Sequence, residues 1–234
     1  MYLYGKNQVE ERIKADPKSI RKIFFNKRDN NPEIKILAEK SKIAYSYLNE
    51  NEFSRIADKF NSQGVIAEVL PFSYANYEEL LELPAGKKVN FLALSNITDP
   101  QNLGSILRTA ACFGNFAVII PKHRSAEITE TVLRVACGAE NYVPVCLVTN
   151  LVPAIEAAKK AGYWTVGTVI EGGTDVFEFN FPSPVFLVIG AEDKGIRQGI
   201  VSQLDFKITL PMPGQKLSLN AAVASAVFCY EIIR

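Results

Sequence analysis

Residues 89–120, VNFLALSNITDPQNLGSILRTAACFGNFAVII, contain two short apolar runs separated by a turn and a helical segment. The runs VNFLALS and FAVII have the length of buried strands, Asp99-Pro100 favours a turn, and a helix is predicted from about Asn102 to Phe113. Four similar runs follow in the chain, YVPVCLV, YWTVGTV, VFLVIG and FKITL. Apolar strands of this kind, with helices between most of them, are typical of a parallel sheet covered on both faces. We therefore predict an α/β fold for residues 89–234.

A smaller α/β unit is predicted ahead of this sheet. The segments YGKNQVEERIKA, SIRKIFFNK and GVIAEVLPF alternate between helix-like and strand-like periods. The stretch SYANYEELLELPAGKK that follows them is interpreted as a short helix or a linker. The expected domains are residues 1–75 and residues 89–234, with residues 76–88 as the linker.

Composition and charge narrow the class of protein. With 48% hydrophobic and 22% charged residues, the chain has the composition of a folded soluble protein. No apolar run reaches the roughly 18 residues that cross a bilayer, and the first residues lack the apolar core of a signal peptide, so we expect a cytoplasmic protein without a membrane segment. The formal net charge is +1, but residues 1–42 hold 11 Lys and Arg against 6 Asp and Glu. Such a surplus suits phosphate binding and an ordinary solvated surface equally well.

The cysteines and the single histidine give no sign of a metal centre. No C-x-x-C spacing occurs, so neither a zinc site nor a disulfide framework is indicated, and no metal is expected. His123 is predicted to lie on the surface. Buried free thiols are predicted for all four cysteines: Cys112, Cys137, Cys146 and Cys229.

Ligands of parallel sheets bind at the carboxyl ends of the strands, which makes three loops candidates for a site. The first loop carries Asn96, Asp99, Asn102 and Arg108. Asp99 or Asn102 could instead cap the following helix, and Arg108 could pair with a surface acid.

The second candidate loop is GAEDKGI, which follows VFLVI. It has neither the Lys-Ser/Thr of a P-loop nor the glycine pattern of a dinucleotide-binding turn. Gly190 would allow a close approach of a ligand to the backbone, and Glu192 would be costly there unless it accepts hydrogen bonds.

The third loop is LPMPGQKLSLN, which leads into an apolar final helix through the polar residues Ser218 and Asn220. Helical spacing places Ala221, Ala224 and Ser225 on one face, which we interpret as core packing.

Together, the three loops resemble the motifs of the SpoU, or TrmH-like, family of RNA ribose 2'-O-methyltransferases in the SPOUT superfamily. The matching segments are DPQNLGSILRTA, LVIGAEDKGI and LPMPGQKLSLNAAVA. The segment VACGAENYVPVCLVTNL is similar to one in the branch that modifies a guanosine of 23S ribosomal RNA, and YGKNQVEERIK and NSQGVIAEV are similar to the L30e-like substrate-binding domain of that branch. Asp193 departs from the glycine that usually follows the motif-two glutamate.

The resemblance implies a trefoil-knotted domain, S-adenosylmethionine as cofactor, an RNA substrate and a homodimer formed through the last helix. Threading of this kind is rare among folds in general. The residues implied in catalysis are Arg108, Asn102, Glu192, Ser218 and Asn220. The residues implied in cofactor binding are Thr168, Gly190, Leu210, Met212 and Leu219.

The same resemblance makes Arg108 the central catalytic residue, and one proposal for the family makes it the base. A guanidinium is hard to deprotonate because its pKa exceeds roughly 12. We therefore expect Arg108 to hold the neighbouring phosphate and to stabilise negative charge on the 2'-oxygen. Three alternatives stay open: a tRNA 2'-O-methyltransferase, an antibiotic-resistance rRNA methyltransferase, and a catalytically silent RNA-binding protein with the same fold.

Overall fold

The computed structural model of the chain describes residues 1–29, 31–57, 61–192, 194–214 and 217–234. The chain divides into two units. Unit 1 consists of Met1–Ser73 together with Ile128–Tyr142, and unit 2 consists of Tyr74–Glu127 together with Val143–Arg234. Residues 128–142 thus belong to unit 1, although they lie within the segment 89–234 that was predicted as the second domain.

The elements alternate between strand and helix along most of the chain. The strands are β1 (Tyr2–Tyr4), β2 (Ile20–Asn26), β3 (Tyr45–Leu48), β4 (Val65–Val69), β5 (Asn90–Ser95), β6 (Phe116–Pro121), β7 (Val145–Val148), β8 (Trp164–Thr168), β9 (Thr174–Asp175), β10 (Val185–Gly190) and β11 (Phe206–Thr209). The helices are α1 (Lys6–Ala15), α2 (Pro32–Lys40), α3 (Glu50–Ala57), α4 (Tyr77–Leu81), α5 (Pro100–Phe113), α6 (Glu130–Ala136), α7 (Leu151–Lys160), α8 (Gln198–Val201) and α9 (Ala221–Ile233). Short 3-10 turns cover Pro17–Ser19, Ala85–Lys87 and Ala139–Asn141.

Unit 1 is built on a four-stranded sheet in the order β1-β4-β2-β3. The β2–β3 pair is parallel and the other pairs are antiparallel. Polar contacts hold residues 128–142 in unit 1. The Glu130 carboxylate, for example, accepts a hydrogen bond of 2.6 Å from the amide of Tyr2. Arg12 forms an ion pair of 3.2 Å with Glu140, whose side chain is fully buried. Burial raises the pKa of Glu140, and the neighbouring Arg12 opposes that rise.

Unit 2 contains a seven-stranded sheet in the order β7-β6-β5-β10-β8-β11-β9, and each of its pairs is parallel. The prediction of an α/β fold with a parallel sheet is therefore confirmed. The strands at the centre of the sheet are buried on both faces, as their continuous apolar sequences require. Because successive strands are parallel, the loops that leave them gather at one edge of the sheet, which we call the carboxyl edge.

Helix α4 is the first helix of unit 2, and it lies in the stretch predicted as a linker between the two domains. Its Tyr77 is buried, and the phenolic hydroxyl donates a hydrogen bond of 2.7 Å to the carbonyl of Ala154 in α7. Tyr77 also stacks edge-on against Phe91 of β5. Residues 77–81 are thus packed into the core of unit 2.

The cysteine prediction is partly wrong. Cys146 and Cys229 are buried, and burial raises the pKa of each thiol to about 12. Cys112 is exposed and Cys137 is half-buried. The buried face of α5 ends at Ala110, and a residue two positions further along a helix lies on the opposite side, which explains the exposure of Cys112. Apolar sequence neighbours do not decide which side of a helix a residue occupies.

Two further expectations concern metals and membranes. His123 is exposed, as predicted. Among the described residues, no group of three or more His, Cys, Asp or Glu side chains could hold a metal ion. Within the same residues, no helix is both long and apolar enough to cross a bilayer.

Candidate active site at the carboxyl edge

Three predicted residues meet where the loops after β5, β10 and β11 converge. Asn102 lies in the first turn of α5, Glu192 follows β10, and Asn220 caps the amino terminus of α9. Nδ2 of Asn102 donates a hydrogen bond of 3.1 Å to Oε1 of Glu192. Nδ2 of Asn220 lies 2.8 Å from the same carboxylate oxygen and 2.7 Å from Oδ1 of Asn102. We call these three residues the polar cluster.

The carboxylate of Glu192 also fixes the start of the last helix. Oε1 accepts a hydrogen bond of 2.8 Å from the backbone amide of Ala221, in addition to the two asparagine donors. Oδ1 of Asn220 accepts from the amide of Ala222 at 2.9 Å, which is an ordinary helix cap. A side chain from one loop therefore orients the helix that follows another loop. The expected hydrogen bonds to Glu192 are present, and the backbone amide of Ala221 at the start of α9 is among the donors.

Glycine is required at position 190 by the turn that delivers Glu192. A Cβ atom on Gly190 would lie 2.3 Å from the carbonyl carbon of Gly195 and 2.6 Å from the amide nitrogen of Ile196. Gly195 closes this turn with a hydrogen bond of 2.8 Å to the carbonyl of Ala191, and its φ of +56° is in the left-handed region that favours glycine. The departure from the family pattern at Asp193 falls outside the described residues.

An open cavity with about 620 Å³ of empty space adjoins the polar cluster, and we call it the cofactor cavity. It is lined by the ends of β8, β10 and β11 and by α9. All five residues expected to bind the cofactor line it: Thr168, Gly190, Leu210, Met212 and Leu219. Ser218 and Glu192, expected to act in catalysis, line it as well.

Part of this lining was not predicted from the sequence. Ile170 and Phe228 contribute apolar surface, and neither lies in a segment with a recognisable polar signal. The face of α9 that we interpreted as core packing has two roles: Ala221 and Ser225 are buried, whereas Ala221 and Ala224 also line the cavity. The spacing of small residues on α9 was the signal that could have found this wall.

Arg108 is placed differently from the other predicted catalytic residues. It lies on α5 and its side chain is exposed. It does not line the cofactor cavity. Since Arg108 follows Asn102 by six residues, it lies nearly two helical turns further along α5. Its role in catalysis stays a prediction, as do the roles of the other site residues.

The fold and the arrangement of the site together define a class of protein. A parallel α/β sheet carries an open, largely apolar cavity at its carboxyl edge, with convergent polar side chains at one end of that cavity. This is the arrangement of an α/β enzyme that binds a small organic ligand.

Comparison with known families makes the assignment specific. The model of the SpoU rRNA Methylase family matches residues 90–230. The model described as RNA 2'-O ribose methyltransferase substrate binding matches residues 2–75. The chain therefore belongs to the SpoU rRNA methylase family.

Relatives and solved structures agree with this family. The chain is 37% identical to the 23S rRNA (guanosine-2'-O-)-methyltransferase RlmB of Pseudomonas aeruginosa, over 99% of this chain and 95% of the relative. It is 38% identical to the enzyme of the same name from Ralstonia nicotianae, over 99% of this chain and 94% of the relative. The SpoU methyltransferase AviRb from Streptomyces viridochromogenes, solved in complex with AdoMet, matches with a TM-score of 0.83 at 22% identity, over 100% of this chain and 89% of that chain. An AdoMet-bound rRNA methyltransferase from Sinorhizobium meliloti also matches with a TM-score of 0.83 at 22% identity, over 99% of this chain and 85% of that chain.

Proposed function

We propose that this protein transfers a methyl group from S-adenosylmethionine to the ribose 2'-hydroxyl of a guanosine in 23S ribosomal RNA. The observation that carries the proposal is the position of the polar cluster at one end of the cofactor cavity, with Glu192 belonging to both. The names of the full-length relatives from Pseudomonas aeruginosa and Ralstonia nicotianae support the substrate. The proposal places the protein in the cytoplasm with its ribosomal RNA substrate.

The residues of the cofactor cavity fit a nucleoside cofactor. Large apolar side chains around its opening are unusually exposed, including Ile170 at 66%, Met212 at 41% and Leu219 at 40%. A flat, largely apolar ligand would cover this surface. Strand-end backbone groups at Gly190 and Leu210 lie in the lining, where they can meet the polar atoms of such a ligand. When bound, S-adenosylmethionine supplies an activated methyl group on a sulfonium.

Positioning of the ribose is the main task assigned to the polar cluster. A displacement at a methyl carbon requires the attacking oxygen to lie in line with the bond that breaks, and orientation of this kind contributes several kcal/mol. Asn102 and Asn220 would orient the ribose, while Glu192 keeps both amides and the start of α9 in place. Ser218 would fix the loop between β11 and α9.

Arg108 is the residue that would stabilise the negative charge that develops on the 2'-oxygen. A planar guanidinium donates paired hydrogen bonds to phosphate oxygens and stays protonated at neutral pH. Arg108 would hold the adjacent phosphate and stabilise negative charge on the 2'-oxygen, while the hydroxyl proton passes to solvent water and the methyl carbon–sulfur bond breaks. Its exposed position on α5 leaves the side chain accessible to a large substrate such as RNA.

Homodimer formation through α9 is the second part of the proposal. This helix exposes large side chains, with Val223 at 52%, Tyr230 at 50% and Ile233 at 45%. A second copy that covered these side chains would remove apolar surface from water. We also propose that the segment from β11 to α9 passes through the preceding loops as a trefoil knot. The Lys and Arg surplus of residues 1–42 would contribute to RNA binding.

The test of this function compares RNA substrates directly. Purified protein is incubated with labelled S-adenosylmethionine and either unmodified 23S ribosomal RNA or unmodified tRNA, and the ribose methylation sites are mapped. We expect methylation of 23S ribosomal RNA at a guanosine. Methylation of tRNA alone would favour the tRNA alternative, and cofactor or RNA binding without transfer would favour a catalytically silent protein.

A further inference from the structure

A second cavity lies at the carboxyl edge of unit 2, beyond the ends of β5, β6 and β7, with about 920 Å³ of empty space. Its polar lining is Ser95, Asn96, His123, Arg124, Thr149, Asn150 and Arg197. The lining contains no carboxylate among the described residues. We call it the cationic cavity. None of the residues predicted for catalysis or cofactor binding lines it.

The two arginines of this cavity have no carboxylate partner among the residues that the structure describes. Both Arg124 and Arg197 are exposed. Nη2 of Arg197 donates a hydrogen bond of 3.2 Å to Oδ1 of Asn96, so that its position is set by a neutral partner. A guanidinium held in this way keeps its charge and its other donors for a ligand.

The backbone around the cavity is also unusual. Asn96 and Arg124 both have left-handed backbone conformations, with φ values of +61° and +59°. Such conformations cost free energy for residues other than glycine and are concentrated at ligand sites. Both residues lie in loops that leave neighbouring strands, because Asn96 directly follows β5 and Arg124 lies shortly after β6. Two adjacent strand ends therefore contribute to one positively charged surface.

The cationic cavity and the candidate active site adjoin a common cleft. This smaller cleft is lined by Asn96, Asp99, Asn102, Ala191 and Glu192, among others. It shares Asn96 with the cationic cavity, and it shares Ala191 and Glu192 with the cofactor cavity. Neighbouring strands are about 5 Å apart, so β6 lies about 10 Å from β10 along this edge. A chain of nucleotides could span that separation.

We propose that the cationic cavity binds a backbone phosphate of the RNA strand, next to the nucleotide whose ribose is methylated. Arg197 and Arg124 donate to the phosphate oxygens, because the planar fork of a guanidinium matches their geometry. Asn150, which caps α7, adds a neutral polar group beside them. This phosphate is distinct from the one assigned to Arg108, whose side chain lies outside the cavity lining. The inference rests on the proposed function, since it names a contact of the same RNA substrate.

The test measures RNA binding as a function of salt. The affinity of an unmodified 23S ribosomal RNA fragment is determined over a range of KCl concentrations for the wild type and for the double variant Arg124→Gln/Arg197→Gln. The control is Lys160→Gln/Lys207→Gln, which removes two positive charges from exposed side chains elsewhere in unit 2. Circular dichroism and calorimetry with S-adenosylmethionine verify that each variant is folded and retains cofactor binding.

We expect the slope of log affinity against log salt to fall in magnitude by about 0.7 in the arginine variant, which is the value for one lost phosphate contact to a single strand. Its KM for RNA should rise, and its single-turnover rate at saturating RNA should stay within a few-fold of the wild type. The lysine control should keep the wild-type slope. An unchanged slope in the arginine variant, or an equal decrease in the control, overturns the inference. If the wild type binds the fragment without transferring a methyl group, the proposed function fails, and the comparison of slopes still decides whether the cavity holds a phosphate.

Discussion

Nδ2 of Asn220 donates a hydrogen bond of 2.8 Å to the carboxylate of Glu192, from a position 28 residues further along the chain. The same carboxylate oxygen accepts from the amide of Ala221 and from Asn102. One side chain thus connects the three loops whose sequences suggested the site. Removing its charge should affect all three loops together, because each of the three donors would lose a charged acceptor.

Substitution Glu192→Gln tests this connection. The carbonyl oxygen of Gln can replace Oε1 as acceptor but carries no negative charge, so the three hydrogen bonds become weaker, and we expect methyl transfer to fall by about tenfold. Single-turnover rates with a 23S ribosomal RNA fragment measure the effect. Glu156→Gln, an exposed change on α7, is the matched control and should leave the rate unchanged. Equal rates in the two variants would contradict a role for the Glu192 carboxylate.

Arg108→Ala should remove most methyl transfer and leave cofactor affinity nearly intact. The reason is that Arg108 lies on α5 outside the cofactor cavity, where it can contact the phosphate and ribose of the RNA. Arg108→Lys should restore little activity, because an ammonium cannot reproduce the paired donors of a guanidinium. Single-turnover kinetics and cofactor titrations separate the two effects. Near-normal turnover in Arg108→Ala would make it an ordinary surface residue.

Arg12→Ala should destabilise unit 1, because it leaves the fully buried side chain of Glu140 without its cation. Removing one partner of a buried ion pair costs about 3 kcal/mol or more, which urea unfolding can measure. Arg12→Met/Glu140→Gln should recover part of that loss. If Arg12→Ala were as stable as the wild type, the packing of residues 128–142 in unit 1 would need revision.

The same variant should show a defined pH dependence. Burial raises the pKa of Glu140 above its ordinary value of 4.5, and loss of Arg12 should raise this pKa further. A raised folded-state pKa means that stability is highest below the unfolded-state value and decreases as pH rises through the folded-state value. The loss of stability in Arg12→Ala relative to the wild type should therefore be smallest at acid pH, and it should increase once the pH rises above the folded-state pKa of Glu140 in the wild type, which itself lies above 4.5. Denaturant midpoints measured across pH give the result, and a deficit independent of pH would contradict the burial of an unpaired carboxylate.

Val223→Asp on the exposed face of α9 should shift the protein from dimer to monomer, because a charge would have to be buried between two copies. Sedimentation velocity measures the shift. The control Ile36→Asp replaces a similarly exposed apolar side chain on α2 and should not alter the assembly state. A wild-type protein that sediments as a monomer at all concentrations would overturn the proposed dimer.

Features that depend on residues close together in the sequence could be predicted, whereas features that depend on contacts between distant segments could not. Apolar runs predicted the parallel strands of unit 2, because a strand buried on both faces has apolar residues at consecutive positions. The resemblance to the SpoU family predicted that Asn102, Glu192 and Asn220 belong to one site. The return of residues 128–142 to unit 1 depends on contacts such as Arg12 with Glu140, which are 128 residues apart.

The cationic cavity escaped prediction for a related reason. Asn96 lies in a predicted candidate loop, whereas Arg124 and Arg197 lie in two separate segments of the sequence with no motif that connects them to it. Their common location follows from the order β6-β5-β10 in the sheet, which the sequence does not state. A charge cluster assembled from separate strand ends has no local motif.

The decisive measurement is the fate of a labelled methyl group. Purified protein, S-adenosylmethionine with a labelled methyl, and unmodified 23S ribosomal RNA are incubated together, and the RNA is digested to nucleosides for mass spectrometry. We expect label in 2'-O-methylguanosine from a single site, and its loss in Arg108→Ala. Label on a base, or no label in RNA from a folded protein that binds the cofactor, would contradict the proposed function.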